Sequence, residues 1–307
     1  MQFKNLQEAT KYLSDENVCR ELLANMRWEG GVPVCPKCGK SGAYSYHNKP
    51  WYKCADQSCK NRFSVTKGTF CEGTKLPLSK WFIAMWLVGN RKKGTSSLQI
   101  ARDLSIGRKA AWFLLHRVRA MLEDKAPNKL TGFIQLDETW IGGTFDNMSK
   151  GRRKKYRASG NDNKYPVMGM VDSEGQAKLK VIGIKSLKDV VRTNVDNSAY
   201  LITDSHNGYT GLEKEYAGHT TVNHYVNEFV NDAGFTTNTV EGFFSCLKRS
   251  IVGTYHSISR KHLQAYCTET SFRYNTRKIT DRDRFINMLT RTEGRLKYTD
   301  LINRKYL

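Results

Sequence analysis

Apolar residues recur at three- and four-residue spacings over residues 4–29, where Leu6, Tyr12, Leu13, Leu22, Leu23 and Met26 predict helix, and again over 79–124. Residues 31–71 lack that period and are dominated by Cys, Gly and Lys. After residue 130 the pattern shortens. Strand-like runs occupy 133–141, 165–172, 177–184, 199–203 and 220–224. Helical periodicity returns over 238–250 and 259–275, before a polar tail at 280–307 with partial helical character. In the first of those blocks Val240, Phe243, Phe244, Leu247 and Ile251 share one face, and Thr236 or Thr237 stands where a cap is needed. The chain shows no internal repeat.

Acids interrupt this apolar patterning at two places. In FIQLDETWIGG (133–143), Phe133, Ile134 and Leu136 lead directly into Asp137 and Glu138. In YLITDSHNGY (200–209), Leu201 and Ile202 lead into Asp204 and a polar glycine turn. An ionised carboxylate at a core edge is costly unless paired or bound to metal. Glu241 falls in the first turns of the helix predicted at 238–250, with Asn238 one turn earlier on the same face and Lys248 two turns later on the same side. Glu138 should point to the opposite face of the strand from Asp137. An acid from a first strand, an acid from a later strand and an acid from a following helix suit a ribonuclease-H-like mixed sheet, whose acids converge on two divalent ions. Magnesium or manganese would fit such oxygen ligands. Each acid also has an ordinary role open to it: a salt-bridged strand end for Asp137, a turn former for Asp204, a dipole-favoured helix start for Glu241. His206, His224 and His256 are weaker candidates, each as readily explained by packing or phosphate contact.

The cysteines separate into two classes. Cys35 and Cys38 form one C-x2-C pair, and Cys54 and Cys59 form a C-x4-C pair. Four thiolates so arranged suit one tetrahedral structural zinc and leave no open catalytic position. Tyr44, Tyr46, Trp51, Tyr52 and Phe63 would supply the small apolar surface of a zinc ribbon. Cys19, Cys71, Cys246 and Cys267 have no paired spacing and read as packing residues.

Between ribbon and strands, Ser96–Leu104 and Arg108–Leu122 fit two helices around a tight turn at Ser105–Gly107. Leu98, Ile100, Ala101 and Leu104 of the first, and Trp112, Leu115, Val118 and Leu122 of the second, are expected to face inward. This fits a helix–turn–helix, with Arg108 and Lys109 at the start of the second helix suited to phosphate or base contact. A plain helical hairpin is the other reading.

Charge sharpens the picture. Lys and Arg number 50 against 29 acids, a formal net charge of +21, which implies a polyanionic partner, nucleic acid first. The basic run SKGRRKKYR contributes Lys150, Arg152, Arg153, Lys154, Lys155 and Arg157, suited to sequence-independent contact with DNA backbone, or to a solvated loop. Arg249, Arg260, Lys261, Arg273 and Arg277 extend the basic set. No apolar run reaches membrane-spanning length, and the N-terminus lacks a signal-peptide block, so a cytoplasmic, nucleoid-associated protein with reduced cysteines is expected.

Taken together, CPKC…YKCADQSCKNRFSVTKGTF, LDETWIGG, ITDSHNGY and NTVEGFFSCLKRSIVGTYHSISRKHLQAYCTETSFRYNTR resemble the zinc-ribbon DDE transposases of bacterial insertion sequences, the group related to the Merlin transposons. The resemblance spans roughly residues 15–280. It implies action at the terminal inverted repeats of a mobile element, with Asp137, Asp204 and Glu241 in the three acidic positions and Lys248 in the basic position after the third acid. Some members carry Asn at the third place, which keeps Asn238 as the alternate. It also implies double-stranded DNA as partner and a homodimer or larger assembly to pair two ends. The expected organisation is multidomain α+β: an N-terminal helical segment (1–30), zinc ribbon (31–75), helix–turn–helix-like domain (76–126), ribonuclease-H-like catalytic domain (127–280) and C-terminal tail (281–307). A ribonuclease-H-like nuclease without strand transfer and a non-catalytic zinc-ribbon regulator are the competing readings.

Overall fold

The computed structural model describes residues 3–46, 50–123, 128–143, 148–151, 153–154, 164–183, 186–222, 230 and 234–303. These fall into two compact units: residues 1–122 with 278–303, and residues 123–277.

The first unit is built on short capped helices. Asn5 accepts the Glu8 N–H at the start of α1 (Leu6–Tyr12), and Asp15 accepts the Asn17 N–H at the start of α2 (Glu16–Arg27). α3 (Leu78–Asn90) starts after Pro77, which offers no side-chain cap. The Glu16 carboxylate substitutes for it, accepting the Leu78 and Ser79 N–H groups at 3.0 and 3.2 Å, so α2 closes the open end of α3. Nine of the thirteen residues of α3 are buried, which makes it the spine of this unit. Three strands, β1 (Tyr44–Ser45), β2 (Trp51–Lys53) and β3 (Arg62–Ser64), form a small antiparallel sheet. Trp28, at the end of α2, meets Tyr52 and Phe63 edge-on at 5.2 and 6.2 Å between centroids, so α2 belongs to the ribbon's core.

α4 (Ser97–Asp103) and α5 (Arg108–Met121) follow, joined by a turn in which Ser105 takes a left-handed φ of 49°. Ser96 caps α4 as a serine at that position can. Ile100, Ala101, Leu104, Leu115, Val118 and Leu122 are buried as the periodicity expects and Trp112 is half-buried, but Leu98 is exposed. It falls in the first turn of a seven-residue helix, two residues before Ile100 and so on the side away from it. The described part of the tail is not an appendage. α9 (Asp281–Leu289) packs on α3, with Phe285 at 5.9 Å from both Phe3 and Phe82, and α10 (Tyr298–Ile302) places Tyr298 edge-on to Phe113.

The second unit is a five-stranded mixed sheet. β4 (Phe133–Gly142), β5 (Lys164–Asp172), β6 (Ala177–Val181), β7 (Tyr200–Asp204) and β8 (Gly218–Val222) lie in the order β6-β5-β4-β7-β8. β4, β5 and β6 pair antiparallel, and β7 and β8 add in parallel beside β4. One face packs Ile134, Leu136, Met168, Met170 and Leu201 against α6 (Leu187–Asn194) and Tyr209. The other packs Val167, Val171 and Leu179 against α7 (Asn238–Ser250) and α8 (Arg260–Asn275).

An exposed edge strand invites unwanted pairing. Here α8 blocks it: Asn275, Ser271 and Gln264 side chains accept the N–H groups of Ala177, Leu179 and Val181, and Asn275 and Gln264 also donate to the carbonyls of Ala177 and Leu179.

Candidate active site and zinc centre

The four ribbon cysteines bring their sulfurs within 4.8 Å of one another. Cys35 and Cys59 Sγ lie 3.9 Å apart, and Cys38 and Cys54 Sγ 3.4 Å apart. A tetrahedron of Zn–S bonds of about 2.3 Å sets sulfurs roughly 3.8 Å apart, so the donor set and its spacing fit zinc. Supporting N–H groups are in place: Asp56 N–H points at Cys54 Sγ (3.4 Å) and Asn61 Nδ2 at Cys35 Sγ (3.6 Å). Burial raises the Cys35 thiol, but the backbone N–H groups of Cys38 and Lys37 and the Asn61 amide outweigh it and bring it down to about 6. Burial and the neighbouring sulfurs instead push Cys54 up to about 12, so the metal-free cluster favours a single thiolate and a metal would have to displace the other protons. Cys19, Cys71 and Cys267 are buried packing residues and Cys246 is half-buried.

In the second unit β4 continues straight through its acids to Gly142, so Asp137 and Glu138 lie mid-strand. Alternation separates them. Ile134, Leu136 and Glu138 face α6 and Tyr209, whereas Gln135, Asp137 and Thr139 face α7. β7 runs parallel to β4 with Ile134 beside Leu201 and Gln135 beside Ile202. Extending that register two residues sets Asp204 next to Asp137 on the α7 face. The carboxylates of Asp137, Glu138 and Asp204 all come within 4.8 Å of one another. Glu138 reaches this group although its strand position points the other way.

The group's electrostatics follow from this crowding. Burial, chiefly, and the charges of Asp204 and Asp137 push the Glu138 carboxyl up to about 7, against the pull of the Tyr209 hydroxyl. Tyr209 is 1 % exposed, and its phenol is raised well above its ordinary value by burial and then by Glu138. Neither that hydroxyl nor Glu138 Oε1 has a well-formed hydrogen bond among the described residues. Asp137 Oδ1 accepts the Glu138 N–H (2.7 Å), and Asp204 Oδ1 accepts the His206 N–H (3.1 Å), which orients each aspartate.

α7 is aimed at the same region. Thr237 makes no side-chain cap bond, and Thr236 takes only the Asn238 N–H. Gln135, two residues before Asp137 on the same face, accepts the N–H groups of Thr239 and Val240 at 3.1 and 3.2 Å. A polar residue in an apolar strand thus caps a helix from a distance, a role that the sequence signals only by the misplaced Gln. Gly169, paired with Asp137 on β5, lets the helix approach. A Cβ there would lie 2.7 Å from Phe244 and Val240. Asn238 and Glu241 are both exposed in the first turns of α7, and Glu241 does not belong to the group of carboxylates within 4.8 Å. Lys248 and Arg249 are exposed in its last turn.

Residues 129–275 match the ISXO2-like transposase domain, and residues 14–62 match the transposase zinc-ribbon domain. The chain belongs to this family of zinc-ribbon transposases. It is also similar to the uncharacterized protein in transposable element ISH50 of Halobacterium salinarum, 26 % identical over 272 residues, covering 83 % of this chain and 90 % of the relative. The zinc-ribbon match starts within the N-terminal helices of this transposase, in keeping with the packing of Trp28 on the ribbon sheet.

The basic candidates divide. Arg108 and Lys109 are exposed at the start of α5, and Lys150 and Lys154 are exposed, with Arg153 half-buried. Arg152, Lys155 and Arg157 lie outside the described residues, as does His224. Arg273 is not a surface cation: it is buried in an ion pair with Glu269. Arg277 stacks on Tyr274 and donates to the Gly175 carbonyl, and Arg260 lies over Tyr165. No helix among the described residues is long and apolar enough to cross a membrane.

Proposed function

We propose that this transposase cleaves phosphodiester bonds at the terminal inverted repeats of an insertion sequence and transfers the freed 3′-hydroxyl to a target strand, using one acidic site for both steps. The carrying observation is the convergence of Asp137 and Asp204, from strands distant in the chain, on one sheet face. Strand order β6-β5-β4-β7-β8, with the first three strands antiparallel, supports a ribonuclease-H-like reading of the unit.

The oxygen donors and the unpartnered buried Glu138 Oε1 fit a hard divalent cation. A pair of magnesium or manganese ions, when bound, would supply the charge that activates the attacking oxygen and stabilises the leaving one. Asp137 and Asp204 would hold them, with the third ligand from the first turns of α7, Glu241 or its alternate Asn238. Lys248 would contact the phosphate near the scissile bond. Arg108, Lys109, Lys150, Arg153, Lys154 and Arg249 would neutralise backbone phosphates, with the α4–α5 pair acting as a helix–turn–helix. Pairing of two ends calls for a dimer or larger assembly on DNA.

The test uses a duplex carrying a candidate element end, uncut or already nicked to expose the 3′-hydroxyl. Joining of the nicked end to a target plasmid by the wild-type protein, and its loss in Asp137→Ala and Asp204→Ala, is expected. Cleavage without joining would leave a nuclease, and unimpaired cleavage by Asp137→Ala would overturn the assignment of this site.

A further inference from the structure

The outward face of the ribbon sheet carries chemistry that neither zinc binding nor core packing uses. Tyr44 stands opposite Lys53, and Lys53 opposite Arg62. Trp51 stands opposite Ser64, and its carbonyl accepts the Tyr46 N–H (3.4 Å). Alternate residues of a strand share a face, so Tyr44–Lys53–Arg62 form one rung and Tyr46–Trp51–Ser64 the next, all on one side. The other side is taken: Tyr52 and Phe63 stack at 5.7 Å under Trp28. On the outward side Tyr44 is 64 %, Trp51 50 % and Tyr46 37 % exposed.

Two features of this face are unfavourable for the chain alone. Three aromatic rings stand in water on strands two and three residues long. Lys53 and Arg62 are like charges directly opposite, a destabilising cross-strand pair, and neither has an ion pair with an acid among the described residues. An anionic partner with flat apolar surfaces would relieve both.

We propose that this face binds unpaired DNA, with Tyr44, Tyr46 and Trp51 stacking on bases and Lys53 and Arg62 on the phosphates between them. The proposal rests on the reading of the chain as a DNA-processing enzyme and adds where and in what form a strand is held. A duplex presents its phosphates but hides its base faces, whereas single strands offer both to a sheet of aromatic and basic residues.

The test measures binding of the zinc-loaded full chain to a fluorescein-labelled oligothymidine and to a duplex of equal length, by anisotropy across a salt series. For Tyr44→Ala/Trp51→Ala, single-strand affinity should drop about tenfold or more at every salt concentration, with the salt slope kept. Trp51→Phe, which keeps a ring, should retain most of the affinity. For Lys53→Gln/Arg62→Gln, the slope of log K against log salt should flatten by roughly 0.7 for each phosphate that is no longer neutralised. Zinc content, measured on every variant, reports that the ribbon has folded. Oligothymidine affinity unchanged in Tyr44→Ala/Trp51→Ala, or a loss equal on duplex and single strand, would overturn the proposal while leaving the transposase reading intact. Wild-type protein that binds neither DNA would remove that reading and this one together.

Discussion

Glu138 behaves differently from the aspartates beside it. It is half-buried with its Oε1 out of water, faces the apolar side of the sheet, and still lies within reach of Asp137 and Asp204. A carboxyl held near 7 when folded and near its ordinary value when unfolded binds more protons in the native state. Its contribution therefore lowers stability as pH rises from about 4.5 to about 7, by an amount on the order of 3 kcal/mol for the metal-free protein. Thermal midpoints of the metal-free protein should fall across that window and then level off. Glu138→Gln, uncharged throughout, should flatten the trend and raise the midpoint at about pH 8. An unchanged pH trend in the variant would show that the burden lies elsewhere. For the aspartates the expectation is catalytic: Asp137→Asn or Asp204→Asn should lower cleavage by about a hundredfold or more, since each removes a charge from the site that stabilises the transition state, as read by single-turnover rates on a labelled duplex.

Elements matter here through how they are aimed. α7 carries both candidates for the third ligand, and its start is secured by Gln135, which takes two N–H groups, together with Thr236, which takes one. Gln135→Ala should cost about 1–2 kcal/mol for two orphaned amides and reduce cleavage more than that loss of stability explains, which parallel denaturation and rate measurements would reveal. Gly169→Ala inserts a methyl group where Phe244 and Val240 leave no room. It should destabilise by about 1–3 kcal/mol and shift α7 away from Asp137. Periodicity predicted these helices and strands to within a few residues, because each buries one apolar face. It did not reveal that Gln264, Ser271 and Asn275 of α8 are there to satisfy the β6 edge, since polar residues on a helix read as solvent-facing until the strand beside them is known.

At the scale of the whole molecule, charge and zinc are the governing quantities. A surplus of +21 predicts DNA affinity that falls steeply and linearly in log K against log salt, at about 0.9 per phosphate neutralised on duplex DNA. A shallow slope would mean that few of these cations touch DNA. The ribbon's strands are too short to hold themselves, so chelation that removes about one zinc per chain should unfold it and change the near-ultraviolet signal of Trp28 and Trp51. A signal indifferent to chelation would count against the four-cysteine site.

What this sequence determined by itself is whatever depends on local chemistry: paired cysteines at ligand spacing, apolar periods of two and 3.6, acids placed in strands, and a surplus of positive charge. Only the tertiary structure decided which separated residues share a site. Strand register, which no local pattern encodes, set Asp204 beside Asp137. Side-chain reach brought in Glu138, which alternation alone had assigned to the other face, and the ion pair with Glu269 buried Arg273. These outcomes depend on long-range packing, where a side chain's surroundings come from parts of the chain far away in sequence.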